Sequence, residues 1–305
     1  MSKKIFKVID NDIIYLSYDE PNAEKNYNDL LQKIPWAKRV HGVKGSDSAH
    51  KACAELSETE RFITVDGDNR IDQEFLNVEL EIDNIDQKVI SWAGENVING
   101  LIYGNGGLKS WPKEFVLKMK THENADPDDV YSQIEFCWNV DYLQMNKCYS
   151  KIYNNGSSLQ AWRAGFREGV KMALDRGQKP SLDNFKKNYW QNLHRLYIWC
   201  MIGSDVENGL YAILGARQGL YKTMCTDWDY VNVRDFDYLN NLWNEIQIEL
   251  ENNSVLESIK KIGLDICRDL SIPIAENPLD KDQSLFFKKV YMQPDRVHRT
   301  IVNDK

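Results

Sequence analysis

The stretch Arg61 to Asp72, RFITVDGDNRID, runs strand-forming residues straight into two aspartates with a single glycine between them. Carboxylates are hard oxygen donors. Asp66 and Asp68 together would suit Mg²⁺ or Mn²⁺, which bind through one or two carboxylates and fill the rest of their shell with water and phosphate oxygens. The ligand such an ion would carry is a diphosphate. Residues two apart on a strand point to opposite faces, so both carboxylates reach one site only if the backbone turns at Gly67. Asp-Gly is also a common turn dipeptide, so the same residues read as the polar end of a strand.

The elements that must position this pair alternate between strand and helix patterns. DIIYLSYD, from Asp12, is rich in β-formers. Tyr27, Leu30, Leu31 and Ile34 then fall at helical spacing, AKRVHGV (37–43) is a second strand, and Ala49, Ala52, Cys53 and Leu56 mark a second helix. RFITV is the third strand, ending at Asp66. This order implies parallel strands with crossover helices, and ligands of such sheets bind beyond the carboxyl ends of the strands. From about residue 78 the chain reads as strand-like pieces joined by Gly and Asn turns, with Gly104, Gly106 and Gly107 in a loop that a ligand could approach closely. From about residue 157 the pattern is helical. Leu159, Trp162, Phe166, Val170 and Ala173 form one apolar stripe, and Leu239, Leu242, Trp243, Ile246 and Leu250 another. The expectation is an α/β half, residues 1–155, followed by a mainly helical half, residues 156–305, with an irregular tail after Pro273.

An Asp-x-Asp at the end of the third strand of such a unit resembles the nucleotide-binding half of glycosyltransferases with the GT-A fold. More narrowly, SYDEPNAEKNYNDLLQKIPWAKRVHGVKGSDSAHKACAELSETERFITVDGDNRID looks similar to a GT-A-type group carried by tailed phages of the T-even type. The resemblance covers residues 12 to 75, extends through YGNGGLKSW, and thins in the helical half. It implies a GT-A-like, Rossmann-like domain with a mostly parallel central sheet, and a metal-dependent hexosyl- or pentosyltransferase. The implied cofactors are Mn²⁺ or Mg²⁺ and a nucleotide-sugar donor, a UDP-sugar first of all. The implied acceptor is a 5-hydroxymethylated pyrimidine, such as 5-hydroxymethylcytosine, in duplex DNA. By the same resemblance, Asp68 is the main metal ligand, with Asp66 sharing the metal or holding the ribose. Ser17, Tyr18, Asp19 and Glu20 lie against the nucleoside, and Lys44, His50 and Lys51 close over the base. Gly106, Gly107, Lys109 and Trp111 shape the sugar and acceptor site. The late metal ligand and the catalytic carboxylate of the family are not located by motif, which leaves inverting and retaining chemistry both open.

An inverting enzyme needs a carboxylate to take the acceptor proton, and Glu95, Asp128, Asp129 and Asp205 are candidates. Arg163 and Arg167, one helical turn apart and near Gln160, could grip phosphate oxygens, or could line a solvated face with Glu168 as partner. His50 and His194 read as ligands or as hydrogen-bonded structural residues. Trp162, Trp199 and Trp243 sit on apolar stripes and read as core, whereas Trp111 borders the glycine loop. The 305 residues are 42% hydrophobic and 28% charged, enough for one large core or two modest ones. A net charge of −8 argues against a nonspecific polyanion binder but leaves local basic patches open. The six cysteines have no metal-binding spacing, and no G-x-x-x-x-G-K-[ST] occurs, which disfavours a P-loop kinase. No apolar run reaches membrane-spanning length, and Asp10, Asn11 and Asp12 interrupt the N-terminal stretch. A membrane partner is therefore not expected, and the expected location is the cytoplasm, that of the host if the chain is phage-encoded. Competing readings are a transferase acting on a polysaccharide, a protein or a small molecule, and a noncatalytic nucleotide-sugar-binding module.

Overall fold

Strand β1 (Lys4–Lys7) pairs antiparallel with β6 (Glu79–Ile82) in a two-stranded ladder. The main sheet contains β2 (Asp12–Ser17), β3 (Lys38–His41), β4 (Arg61–Asp66), β5 (Asn69–Ile71), β7 (Val89–Asn96), β8 (Ile102–Pro112), β9 (Tyr142–Ile152) and β10 (Ile301–Val302). Its order is β10-β9-β7-β8-β4-β2-β3, with β5 attached to β9. β2 runs parallel to β3 and β4, β7 parallel to β9, and β9 parallel to β10, while β8 is antiparallel to both of its neighbours. The expected class holds: α/β with a mostly parallel central sheet, here mixed by two reversed strands, β8 and the short β5, followed by a helical region. This computed structural model describes residues 4–129, 132, 142–175, 177–188, 190–291 and 301–302. Cys137 lies outside them, and the five described cysteines are free thiols.

Alternation along the strands builds two apolar layers. On one face Ile14, Phe62, Val89 and Trp111 pack with Cys53 and Ala54 of α2 (Ser46–Leu56) and Val116 of α3 (Lys113–Lys118). On the other, Ile13, Tyr15, Ile63, Val65, Ile90 and Trp92 pack with Leu30 of α1 (Ala23–Lys33) and with Phe75. Each fully buried side chain of this kind contributes about 1.5–3 kcal/mol. The helical spacing read from Ala49 to Leu56 places Ala49 and Cys53 inside, but Leu56, the last residue of α2, is exposed because the helix ends there.

The chain forms two compact units, one built from the residues before Val97, Leu101–Tyr153 and the C-terminal residues that carry β10, the other from Val97–Gly100 and Asn154–Met292. In the second unit the helices Ser158–Ala173 and Gly209–Cys225 approach at backbone distance. A Cβ on Gly165 would sit 1.9 Å from Ala212 O, and one on Gly215 2.1 Å from Trp162 O. Trp162, Phe166, Val170, Leu239, Trp243 and Ile246 form the core as their spacing predicts. Arg217 is buried there with its guanidinium on the carbonyls of Cys200, Ile259, Ala275 and Glu276. The tail differs from expectation: Lys281–Val290 is helical, started by a capping box between Asp280 and Gln283 that sequence periodicity did not register.

Candidate functional site

β4 ends at Asp66, and Gly67-Asp68 turns the chain into β5. Asp66 is in register with Leu16 of β2, so the turn lies at the carboxyl ends of the parallel strands. The surrounding residues hold its backbone. Gly67 O accepts from Tyr15 Oη at 2.5 Å and from Asn26 Nδ2 at 3.0 Å, and Asp68 O accepts from Tyr153 N at 2.7 Å. Asn26 is itself oriented by Arg70 Nε at 2.8 Å, whose guanidinium lies 4.4 Å over the Tyr153 ring.

Gly67 does not occupy the left-handed region, so the turn itself does not demand a glycine. The demand comes from packing: a Cβ there would lie 2.6 Å from Glu20 Oε2 and 3.0 Å from Ser17 Cβ. The turn read at Gly67 is present, but packing rather than conformational freedom is what requires the glycine there. Its absent side chain instead admits the Glu20 carboxylate to the turn. Gly107, at φ +75, is constrained twice. Left-handed backbone favours glycine, and a Cβ there would lie 2.8 Å from both Asp66 Oδ2 and Asn69 Nδ2. Gly106 is wedged against β7, its own Cβ position overlapping Gly94 N, and its carbonyl accepts a hydrogen bond from Asn69 Nδ2. Gly104, Gly106 and Gly107, expected in a loop, lie instead within strand β8, and this glycine stretch packs against the aspartate turn.

Burial pushes the Asp66 carboxyl up to about 6, against the opposing charge of Lys109 and with Glu20 adding to the rise. A carboxylate in this condition gains from a cation placed on it. The divalent ion implied by the sequence fits the residues present. The donors are oxygen only, and Asn69, whose Nδ2 shares with Asp66 Oδ2 the space beside Gly107, has its amide oxygen Oδ1 buried with no hydrogen-bond partner. Among the described residues no three His, Cys, Asp or Glu side chains form a ready-made metal cage, so water and ligand oxygens would have to complete the shell.

The other expected residues fall into distinct settings. Ser17 is buried, its Oγ 3.1 Å from Arg39 Nε and 3.0 Å from His41 Nδ1; Tyr18 and Asp19 are exposed, and Tyr18 N donates to Glu20 Oε2 at 2.8 Å. Lys44 is exposed, whereas Lys51 pairs with the fully buried Asp47 at 2.7 Å. His50 Nδ1 lies 2.7 Å from Ser46 O, its ring edge-on to Trp111, and burial lowers its pKa to about 4. Trp111 has no exposed surface and donates to Thr64 Oγ1 at 2.8 Å, a core position rather than a stacking platform. Lys109 lies 5.7 Å from the centre of the Trp111 ring and contributes charge to Asp66.

Glu95, in β7, lies 3.7 Å from Lys151; Asp128 is an exposed turn residue. Asp205 is buried and paired with Lys288 at 2.5 Å. Arg163 and Arg167 both stack on Phe236, at 4.3 and 5.0 Å, and Glu168 pairs with Lys171. His194 Nε2 lies 2.6 Å from Tyr291 Oη, as a structural histidine would.

Sequence reasoning missed Tyr15, Asn26, Asn69 and Tyr153, which hold the turn and the glycine stretch of β8. Asn26 left a readable signal, being a polar residue on the buried face of α1 between Ala23 and Leu30. The others gave none, because their partners are backbone groups distant in sequence.

No family model and no curated protein matches the chain. Among solved structures it is similar to a glycosyltransferase involved in glycosylation of the major capsid of PBCV-1, at 12% identity and a TM-score of 0.30, covering 46% of this chain and 94% of that one. It is also similar to HddC from Yersinia pseudotuberculosis, at 16% identity and a TM-score of 0.29, covering 50% of this chain and 76% of that one.

Proposed function

We propose that the chain is a metal-dependent glycosyltransferase that moves a sugar from a nucleotide-sugar donor, a UDP-sugar, to a hydroxyl acceptor. One observation carries the reading: a carboxylate turn at the carboxyl ends of parallel strands, its backbone held by Tyr15, Asn26 and Tyr153, packs against the glycine stretch of β8. A divalent ion, when bound, would neutralise the departing diphosphate. Asp68 and Asp66 would hold that ion, and Lys109 would add positive charge beside Asp66. Of the candidate bases, Glu95 keeps a partly exposed carboxylate in the same unit as the turn, whereas Asp205 is committed to Lys288.

The acceptor we propose is a 5-hydroxymethylated pyrimidine in duplex DNA, which the sequence resemblance supports. Reaching a base hydroxyl would require the nucleotide to leave the stack. Among the described residues no helix is long and apolar enough to cross a membrane. The test is an assay of the purified chain with a panel of nucleotide sugars, Mn²⁺ or Mg²⁺, and duplex DNA with or without 5-hydroxymethylcytosine, read by nucleoside mass spectrometry. A sugar-sized mass gain on the modified base, lost in Asp68→Asn, is the expected result. Metal-dependent donor hydrolysis with untouched DNA would discard the acceptor but keep the transferase. Binding without turnover would overturn the enzymatic reading in favour of a binding module.

A further inference from the structure

Asn69 is 1% exposed, and its two amide atoms are in opposite situations. Nδ2 faces the Gly106 carbonyl, with Ser150 Oγ at 3.4 Å. A carbonyl only accepts, so the amide cannot be flipped without setting oxygen against oxygen. That orientation fixes Oδ1 as the buried atom without a partner. Leaving such an acceptor unsatisfied costs about 1–3 kcal/mol, and native interiors rarely tolerate it without a compensating ligand, ion or water. Its surroundings indicate which of these to expect. Nδ2 of the same amide and Asp66 Oδ2 both lie 2.8 Å from the point where a Cβ on Gly107 would sit, so the orphan oxygen belongs to the residue packed beside the desolvated carboxylate. Amide oxygens are ordinary ligands for hard divalent cations, and a neutral one adds a donor without adding charge repulsion to Asp66 and Asp68.

We propose that Asn69 supplies a third protein oxygen to the divalent cation held by Asp66 and Asp68, while its Nδ2 ties the cation to the position of the glycine stretch of β8. The inference rests on the metal-dependent reading of the site and names a ligand beyond the two aspartates. It also explains why a polar residue with no exposed surface follows the aspartate pair directly.

The experiment is a Mn²⁺ titration of the full chain followed by electron paramagnetic resonance, with and without UDP, on the unaltered protein, Asn69→Ala and Asn69→Asp. A ligand role predicts that Asn69→Ala weakens Mn²⁺ binding about tenfold or more. It also predicts that Asn69→Asp, which keeps an oxygen at the same place, binds as tightly as the unaltered chain or more so. A role limited to latching Gly106 predicts the opposite order, because a carboxylate set against a carbonyl is worse than a methyl group; that order, or an unchanged Asn69→Ala, would overturn the proposal. Should Asn69→Ala fail to fold, the Asn69→Asp result decides on its own: tight binding supports the proposal, loss overturns it. If the unaltered chain takes up no Mn²⁺ even with UDP, the metal-dependent reading falls and this inference with it. Unaltered binding in both variants would sink the inference alone.

Discussion

Replacing Gly107 by alanine should damage the protein in a way that the same change at Gly104 does not. Both glycines have positive φ, +75 and +62, where an L side chain costs about 1–2 kcal/mol. The loss of unfolded-chain freedom returns about 0.4–1 kcal/mol at either position. A Cβ on Gly104 meets nothing within 4 Å, so Gly104→Ala should cost about 1 kcal/mol and leave the site intact. A Cβ on Gly107 meets Asp66 Oδ2 and Asn69 Nδ2 at 2.8 Å and Asp66 Cβ at 2.9 Å. Rotating the two side chains relieves the first two contacts, but Asp66 Cβ is fixed to β4, so this stretch of β8 must also move. Losing the Asn69 bond to Gly106 adds about 1–3 kcal/mol. The difference between the variants should therefore be about 1–3 kcal/mol, read as a melting temperature lower by several degrees, at about 2–4 °C per kcal/mol for a domain of this size. Mn²⁺ binding in the presence of UDP should fall at least tenfold in Gly107→Ala alone. Equal melting and equal binding in the two variants would refute the reasoning, since only the approach of Asp66 and Asn69 separates them.

Other expectations follow from the same geometry. Asp47 accepts from Lys51, Asn124 and Thr121, and although its burial works against the charged form, these partners hold its pKa below the usual carboxylate range. A depressed pKa gives stability that is present above the unfolded value of about 3.9 and is lost as pH falls through the folded one. Asp47→Ala should thus cost about 2 kcal/mol at pH 7 and flatten the melting profile below pH 4, measured by circular dichroism; an unchanged acid limb would count against the pairing. Trp111→Phe should lower stability by about 1–3 kcal/mol through the stranded Thr64 hydroxyl while leaving donor affinity unchanged, and a selective loss of donor binding would restore Trp111 to the site. Gly215→Ala should overpack the helix pair by about 3 kcal/mol, since its Cβ would sit 2.1 Å from Trp162 O, whereas Gly177→Ala meets no atom within 4 Å; melting curves of the two should separate clearly.

The strand, helix, strand, helix, strand order up to Asp66 was legible because each element there carries its own period. Isolated apolar residues such as Leu30 and Phe62 land on the faces their spacing assigns. The reversed strand β8 was not legible: its glycines obscure alternation, and its direction is set by pairing with β4 and β7. The helix Lys281–Val290 was missed because a short helix is announced by its cap more than by its stripe. At the site, the aspartates and glycines could be read from residue type. Tyr15 and Asn69 could not, because a side chain bonded to a distant carbonyl leaves no local pattern. Lys51, Trp111 and Asp205 show the converse, chemistry-bearing residues whose partners Asp47, Thr64 and Lys288 engage them in holding structure together.

The Lys288 side chain that meets Asp205 also donates to the carbonyls of Val97 and Ile98, at 3.2 and 3.4 Å. The first of these bonds spans 191 residues of chain. During synthesis at about 5–20 residues per second, the Val97–Gly100 segment would emerge roughly 10–40 s before its lysine partner exists. The second unit therefore closes around a piece of chain made early, and until Lys288 is made those carbonyls wait in water after the residues of the aspartate turn have already been synthesised.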